Sequence, residues 1–421
     1  MKIAILGAGF TGLTAALRLS QKGDEVVVFE KDEQIGGLAV GFKKKNWLWS
    51  LEKAYHHWFT NDTQVLNLAK ELNYPVLIKR PKTQVFINDQ IFDFDSISSF
   101  LKFPFFNIFD KTRLVLAGAF LKITNNYLQF ENKLALVWIR KYFGKKISDL
   151  IWEPLFSAKF NTYKEKISLV WFWARIKKRT PSLAYPSGGF KKFAEKIAEE
   201  IRENSGQILL NTEVLNLNEK NGKIIISTKN KKYIFDKVIV TLPSIIFAKL
   251  SLQLPKEYVK KITSIDHLHA LNLILILKKP FFKDTYWLNI TDTSFPFLVL
   301  VEHTNFMDKQ NYGKEHILYI GNYLTKDHPY LRMSKVSLQK IFMKQLKKIN
   351  PKIEKIIKES YLFIAPFAQP IVSKDYHKKI PTFKTPLKNV YLANLDMTYP
   401  WDRGTNYAVE LGQIVAKLIN E

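Results

Sequence analysis

Gly7, Gly9 and Gly12 stand in a Gly-x-Gly-x-x-Gly spacing, between the apolar run KIAIL and the helix-like TGLTAALRLS. In a strand–turn–helix, Gly7 permits the tight turn, Gly9 lets the backbone approach a pyrophosphate, and Gly12 lets the helix pack close to the strand. The helix N-terminus then presents free N–H groups and the positive end of its dipole to the diphosphate. Glu30 ends the next apolar run, DEVVVFE, 18 residues after Gly12. A carboxylate there accepts from both ribose hydroxyls and repels a 2′-phosphate, which disfavours NADP. The paired glycines of Ile35–Gly36–Gly37–Leu38–Ala39 add a second place where backbone can pass beside a phosphate. A simple NAD fold needs no such turn, so the spacing predicts FAD.

Three polar knots interrupt apolar surroundings. The first is Glu52-x-x-Tyr55–His56–His57–Trp58–Phe59. Histidines near neutral pKa move protons, and Tyr and Trp wall a flat substrate; the competing reading is a hydrogen-bonded pair bracing a domain junction. A metal site is not expected, because adjacent residues in a strand point to opposite faces. The second knot is Tyr286–Trp287–Leu288–Asn289 with Val301–Glu302–His303–Thr304–Asn305, where polar residues end the run FLVLV. Glu302 and His303 are candidates for an acid–base or substrate-orienting pair, with Trp287, Asn289 and Asn305 beside the substrate; simple strand exit to solvent competes. The third is Tyr399–Pro400–Trp401–Asp402–Arg403–Gly404–Thr405–Asn406–Tyr407. Thr405 or Asn406 caps the following helix, which leaves the first amides to face an acceptor oxygen. Arg403 holds a pyrophosphate or pairs with Asp402. His56, His57, Trp287, Glu302, His303 and Asn305 are expected to line one cavity.

The elements that must position these groups begin with a βαβ unit over the first forty residues. A Phe-rich stretch at 100–121 turns helical, and 131–160 reads as helix up to a break at Trp152–Glu153–Pro154. FKKFAEKIAEEIREN, after the Gly188–Gly189 turn, is amphipathic. GQILLNTEV, GKIIISTK and YIFDKVIVTLP read as strands, 267–301 as β-rich, and 334–349 as a Lys-rich helix. The chain closes with strand NVYLANLD and helix NYAVELGQIVAKLIN.

Composition bounds the rest. With 47% hydrophobic and 14% aromatic residues over 421 positions, disorder, collagen and coiled coil are excluded. The net charge of +26 comes from 55 scattered lysines and only nine arginines. Nucleic-acid binders favour arginine forks, so a solvated surface is the better reading and no nucleic-acid partner is expected. Apolar runs such as 114–120 and 297–301 are far short of the ~20 residues that span a bilayer. The expected location is the cytoplasm, with a weaker reading of peripheral membrane contact through 100–121. Without cysteine there is no disulfide, thiolate metal site or cysteinyl-linked cofactor. The expected FAD is non-covalent.

GAGFTGLTAALRL, VFEK-x4-GGLA, LLNTEVLNL followed by DKVIVTLP, and the final strand–loop–helix resemble the flavin-containing amine oxidase and protoporphyrinogen oxidase superfamily over nearly the whole chain. The resemblance implies an α/β fold: a Rossmann-like FAD-binding domain (1–78, 185–245, 365–421) with an inserted α+β substrate domain (79–184, 246–364). It implies FAD contacts at Gly7, Gly9, Gly12, Glu30, Lys31, Gly36, Gly37, Leu38, Val214, Asp396, Arg403, Gly404, Asn406 and Tyr407. It also implies hydride transfer from a hydrophobic or cyclic substrate. Departures are visible: the final strand reads Ala393–Asn394–Leu395–Asp396 where relatives carry Gly-Asp, so Asn394 or Asp396 takes that place. Asn272 occupies the position of the amine-oxidase lysine, and Leu38 follows Gly37 where an arginine is usual. Two alternatives compete: a non-redox flavoenzyme resembling UDP-galactopyranose mutase, to whose His-containing segment YHHWFTND is loosely similar, and a flavin-binding scaffold without turnover.

Overall fold

A computed structural model describes residues 1–420, apart from the side chain of Ile97. Its first layer is a parallel sheet in the order Gln207–Leu209, Glu25–Phe29, Lys2–Leu6, Lys237–Val240, Val390–Leu392. Val26, Val27, Val28 and Phe29 are all buried, as are Ile3 to Leu6, because both faces of this sheet are covered. The helix Phe10–Ser20 lies on the sheet, and the helices Phe190–Glu203 and Thr405–Leu418 pack against that helix. Phe190–Glu203 buries Phe190, Phe193, Ala194, Ile197, Ala198 and Ile201, one stripe at the helical period, as its amphipathic sequence predicts.

Two glycines let these helices approach. A Cβ on Gly12 would overlap the Gly7 carbonyl oxygen, and one on Gly412 would sit 2.5 Å from the Thr11 carbonyl oxygen. Backbone therefore meets backbone on both sides of the first helix.

The second layer is a seven-stranded sheet in the order Ile357–Pro370, His267–Leu277, His316–Leu324, Val299–Glu302, Thr285–Ile290, Lys82–Ile87, Gln90–Asp93. Its strand Ile357–Pro370 crosses the position 364/365 at which the sequence suggests a domain boundary. Helices Ile108–Ile123, Ala135–Tyr142 and Leu169–Lys178 pack on one another, and Glu153–Phe160 packs on the strand His316–Leu324 of that sheet. The expected break at Pro154 is corrected. A π-turn at Ser148–Trp152 leads directly into Glu153–Phe160, so the missing N–H of Pro154 falls at the junction of π- and α-turns and the chain stays helical through it. The Phe-rich stretch divides: Phe100, Phe103 and Phe106 stack in the core, whereas Ile108, Phe109, Leu116 and Ile123 on the following helix are exposed. Among the described residues no helix is long and apolar enough to cross a membrane.

Because the Gly12 clash is with backbone, relaxation is confined. Gly12→Ala is expected to destabilise the fold by about 1–3 kcal/mol, read as a lower denaturation midpoint at unchanged denaturant dependence. An unshifted midpoint would show that the helix has room the structure does not give it.

Candidate active site

At the end of the parallel sheet two loops meet glycine to glycine. The Gly36 N–H donates to the Ala8 carbonyl at 2.9 Å. A Cβ on Gly37 would lie 3.0 Å from the Gly9 Cα. Gly7, Gly36 and Gly37 have φ of +106°, +120° and +57°, a region that favours glycine. One surface of bare backbone thus runs from the first helix's N-terminus to the 36–37 turn. Glu30 stands beside it, accepting from the Ala8 N–H at 2.8 Å and the Asp32 N–H at 3.1 Å. Each carboxylate oxygen keeps lone pairs for a hydroxyl. The Thr212 N–H donates to the Glu30 carbonyl, which docks the segment leading to Val214 at the same corner. Lys31 and Leu38 are exposed there. Bare backbone for phosphates, a helix N-terminus and a carboxylate for a ribose fit the dinucleotide half of FAD.

The C-terminal corner departs from expectation. Asp396 is buried, with Oδ2 accepting from the Ser244 hydroxyl at 2.5 Å and Oδ1 2.6 Å from His267 Nε2. Asn394 donates to the Leu242 carbonyl and to Ser244 Oγ. Both side chains are therefore engaged inside the protein. Neither Thr405 nor Asn406 caps its own helix: Thr405 Oγ1 accepts from Trp58 Nε1 at 2.6 Å, and Asn406 Oδ1 accepts from the Gln64 and Val65 amides. Asn406 thus caps the helix Thr63–Glu71.

A cavity of about 270 Å³ opens beside Gly404, Thr405 and Tyr407. Tyr55, His56, His57 and Asp62 line one side, Trp287, Asn289, Leu298 and Tyr323 of the large sheet another, and the helices 153–160 and 169–178 the rest. His56 Nδ1 lies 2.7 Å from the Ala54 carbonyl, so Nδ1 carries the proton and Nε2 is left as an acceptor. Burial lowers His56 to about 4, and burial with Arg179 nearby lowers His57 to about 3. Both are neutral at physiological pH. Asn289 accepts from Trp287 Nε1 at 3.0 Å.

Glu302, His303 and Asn305 do not reach this cavity, which corrects the expectation of one shared lining. Glu302 is fully buried and accepts from the Phe281 and Phe282 amides at 3.1 and 2.6 Å. His303 Nε2 is 2.7 Å from the Tyr312 hydroxyl in an aromatic cluster, and burial lowers it to about 3. Asn305 donates to the Thr285 carbonyl at 2.9 Å. The strand turns into the 3-10 segment His303–Asn305 instead of emerging, so its polar groups satisfy backbone and tyrosine.

Sequence reasoning singled out Arg403, which donates to Gln369 Oε1 at 3.0 Å and leaves Asp402 to Arg175, but it missed the cavity's other cations. Lys159, Arg175, Lys178, Arg179 and Arg403 all line it. Arg175 NH1 pairs with Asp402 Oδ2 at 2.6 Å, and Asp402 also accepts from Trp171 Nε1 and Gln369 Nε2. Lys159 Nζ lies over the rings of Phe160, Trp171 and Tyr323 at 5.6, 5.1 and 4.8 Å. Burial, reinforced by Arg175, holds its pKa well below the usual lysine range. Arg179 is accessible to solvent yet surrounded by protein, as a side chain opening into a concavity must be, and burial lowers it to about 10. The signal was present in Arg175-x-x-Lys178–Arg179, a spacing that puts two cations on one helix face and a third directly after the helix end.

Two predictions follow from this geometry. Gly9 has an ordinary φ of −74°, and its Cβ would meet only the Gly37 Cα at 3.7 Å. Gly9→Leu is expected to keep the melting temperature of the flavin-free protein while abolishing the bound flavin spectrum; retained flavin would refute the cradle. The second concerns Glu52, buried and accepting from the Tyr185 hydroxyl at 2.7 Å and the Phe190 N–H at 2.9 Å. Burial raises its pKa to about 7 from 4.5. The folded state then binds the proton more tightly, so this stabilisation is complete below pH 4.5 and lost as pH rises through 7. The full change is about 3 kcal/mol. The stability of Glu52→Gln relative to the parent should therefore improve between pH 5 and pH 8; a pH-independent difference would refute the shift.

Residues 10–420 match the profile of the family described as flavin containing amine oxidoreductase. A 4,4'-diapophytoene desaturase (4,4'-diaponeurosporene-forming) of Staphylococcus haemolyticus is 59% identical over 44 residues, 10% of this chain and 9% of that protein. The crystal structure of a putative protoporphyrinogen oxidase from an Exiguobacterium species superposes with a TM-score of 0.75 at 14% identity, covering 99% of this chain and 98% of that one. That of a reduced UDP-galactopyranose mutase gives 0.76 at 15% identity, covering 100% and 96%. At these identities the structures show a common fold. The profile shows family: the chain belongs to the flavin containing amine oxidoreductases, and is a flavin-dependent oxidoreductase.

Proposed function

From that membership we propose that the chain binds FAD without a covalent bond and oxidises a hydrophobic or cyclic substrate held in the 270 Å³ cavity. The observation that carries the reading is the glycine-to-glycine surface beside Glu30, continuous with a helix N-terminus and separate from the cavity lining. Gly7, Gly9, Gly36 and Gly37 would hold the diphosphate and Glu30 a ribose. When bound, FAD supplies the hydride-accepting chemistry. The chain's own residues supply position and charge. The helix Thr405–Leu418 has no side chain capping its first turn, so the amides at 405–407 remain free beside the cavity. They favour negative charge there. Trp152, Phe156, Trp171 and Phe172 exclude water from the opposite wall, and His56 Nε2 is a neutral proton acceptor.

The name of the family suggests amines, but the residues argue otherwise. Asn272 stands in the middle of the strand His267–Leu277 and does not line the cavity. An ammonium group entering would meet five cationic side chains. The test is to load the protein with FAD, confirm release of intact FAD by heat or acid, and mix it anaerobically with simple primary amines and polyamines. No bleaching of the flavin is expected; rapid bleaching would restore an amine-oxidase reading. A protein that takes up no FAD would remove the whole proposal. The second reading, a non-redox enzyme acting on a sugar nucleotide, is favoured by the same cations and by the likeness to the mutase structure. Tight UDP-sugar binding to the reduced protein without net oxidation would select it.

A further inference from the structure

We propose that the cavity recognises an anionic amphiphile, its acid group held by Lys159, Lys178, Arg179 and Arg403 and its apolar body laid against Phe156 and Phe172. This rests on the oxidoreductase reading above and deepens it by naming the chemical class of the substrate.

Charge balance is the starting point. Among the described residues, the carboxylates lining the cavity are Asp62 and Asp402. Asp402 is committed to Arg175, Trp171 and Gln369. Asp62 accepts from the Phe59 N–H, and burial raises it to about 6. Lys159, Lys178, Arg179 and Arg403 therefore face the cavity without a carboxylate partner among the described residues. Three of them lie against aromatic faces: Lys178 Nζ is 4.4 Å from the Trp401 centroid and Arg403 Cζ 4.9 Å from that of Tyr323, besides the three rings around Lys159, while Arg403 Nε also donates to Gln369 Oε1 at 3.0 Å. Aromatic faces orient a cation and leave its charge available to a ligand.

The arrangement is costly when empty. Arg175, Lys178 and Arg179 repel one another at i, i+3 and i+4, and concave walls of low polarizability intensify the repulsion. Burial lowers Lys159, Arg179 and Arg403 from their ordinary values, and the attraction of Asp402 for Lys159 and of Asp95 for Arg179 does not offset it. The cofactor's phosphates are not that counter-ion, since Gly7, Gly9, Gly36 and Gly37 lie outside the lining. A second anion is required. Three of the chain's nine arginines meet in about 270 Å³, too small a space for a polymer, and Trp152, Phe156, Phe160 and Phe172 give the same cavity an apolar stretch of wall. An acid group on an apolar body satisfies both halves.

The test uses the FAD-loaded full chain, titrated calorimetrically at low salt with octyl phosphate, octanoate, octylamine, inorganic phosphate and UDP. Octyl phosphate or octanoate is expected to bind at least ~10-fold more tightly than octylamine or inorganic phosphate. The ratio of the first two tells a phosphate headgroup from a carboxylate. Arg179→Gln and Lys178→Gln, both on accessible or half-buried positions, should each weaken that binding by ~10-fold at unchanged flavin content and melting temperature. Lys159→Met, which keeps the apolar stem, should do the same. Equal binding of octylamine, binding of inorganic phosphate or UDP as tight as that of octyl phosphate, or unchanged binding in all three variants would each overturn the proposal. Anion binding in a protein that takes up no flavin would sink the oxidoreductase reading alone; flavin reduction without anion binding would sink this one alone.

Discussion

A carboxyl group taken out of water must find donors or a proton, and Glu52 finds both. Its two oxygens accept from Tyr185 and from the first amide of the helix Phe190–Glu203, while its own carbonyl accepts from the Tyr319 hydroxyl of the seven-stranded sheet. Its strand pairs with Gly41, just after the Gly36–Gly37 turn. One residue thus ties the dinucleotide loop, the helix that supports the first βαβ unit and the large sheet. The chain leaves Glu52 for Tyr55, His56 and His57, so the cavity's polar wall is set by this tie. Gly321 provides the room: a Cβ there would sit 2.5 Å from the Tyr55 ring. The same network extends through Tyr185 to His303 and Tyr312. Glu52 and His303, which the sequence places in two separate knots, therefore belong to one buried scaffold behind the cavity.

That scaffold explains why the histidines of the wall do not supply charge. His56 and His57 are surrounded by Phe190, Phe59, Tyr286 and Trp287, and the nearest charges are arginines. Burial and arginine act in the same direction, keeping the imidazoles neutral well below physiological pH. Positive potential in the cavity comes instead from lysine and arginine, on or just after the helices 153–160 and 169–178 and in the loop before the last helix. The two kinds of group are complementary. The cavity's positive charge comes from lysine and arginine, while its imidazoles stay uncharged near neutrality.

The parallel sheet and its glycines were readable because each signal is local. Gly12, Glu30 and the Gly36–Gly37 turn lie within forty residues, and their spacing fixes their meeting place. The amphipathic helix at 190–203 and the Lys-rich helix, found at Lys335–Ile349, were likewise carried by period alone. What failed to read was partnership between distant segments. Glu302 and His303 resemble polar residues emerging from a strand, but amides at 281 and 282 and the hydroxyl of Tyr312 claim them. Asp396 sits where a cofactor ligand is expected, yet His267 and Ser244 hold it. A composition dominated by scattered lysine hid the cations at 159, 175, 178 and 179, because a charge looks solvated until the fold shows the concavity around it.

The end of the chain shows how such distant claims build a site. Thr405 and Asn406 have the side chains of helix caps, and local rules assign them to their own helix. Trp58 claims the first, and the amides of residues 64 and 65 claim the second, so two hydroxyl and amide oxygens are withdrawn from the first turn of Thr405–Leu418. The exchange has two consequences. It locks the helix 63–71 and the 55–58 wall to the last helix, which Gly412 holds against the first one. It also leaves the amides at 405–407 without a side-chain partner at the cavity's edge, with Gly404 before them adding no side chain to obstruct approach. A helix end whose own caps are spent elsewhere keeps its positive end open. The cavity's two sources of positive potential, this helix end with Arg403 just before it and the cations of 159–179, then arise from different segments.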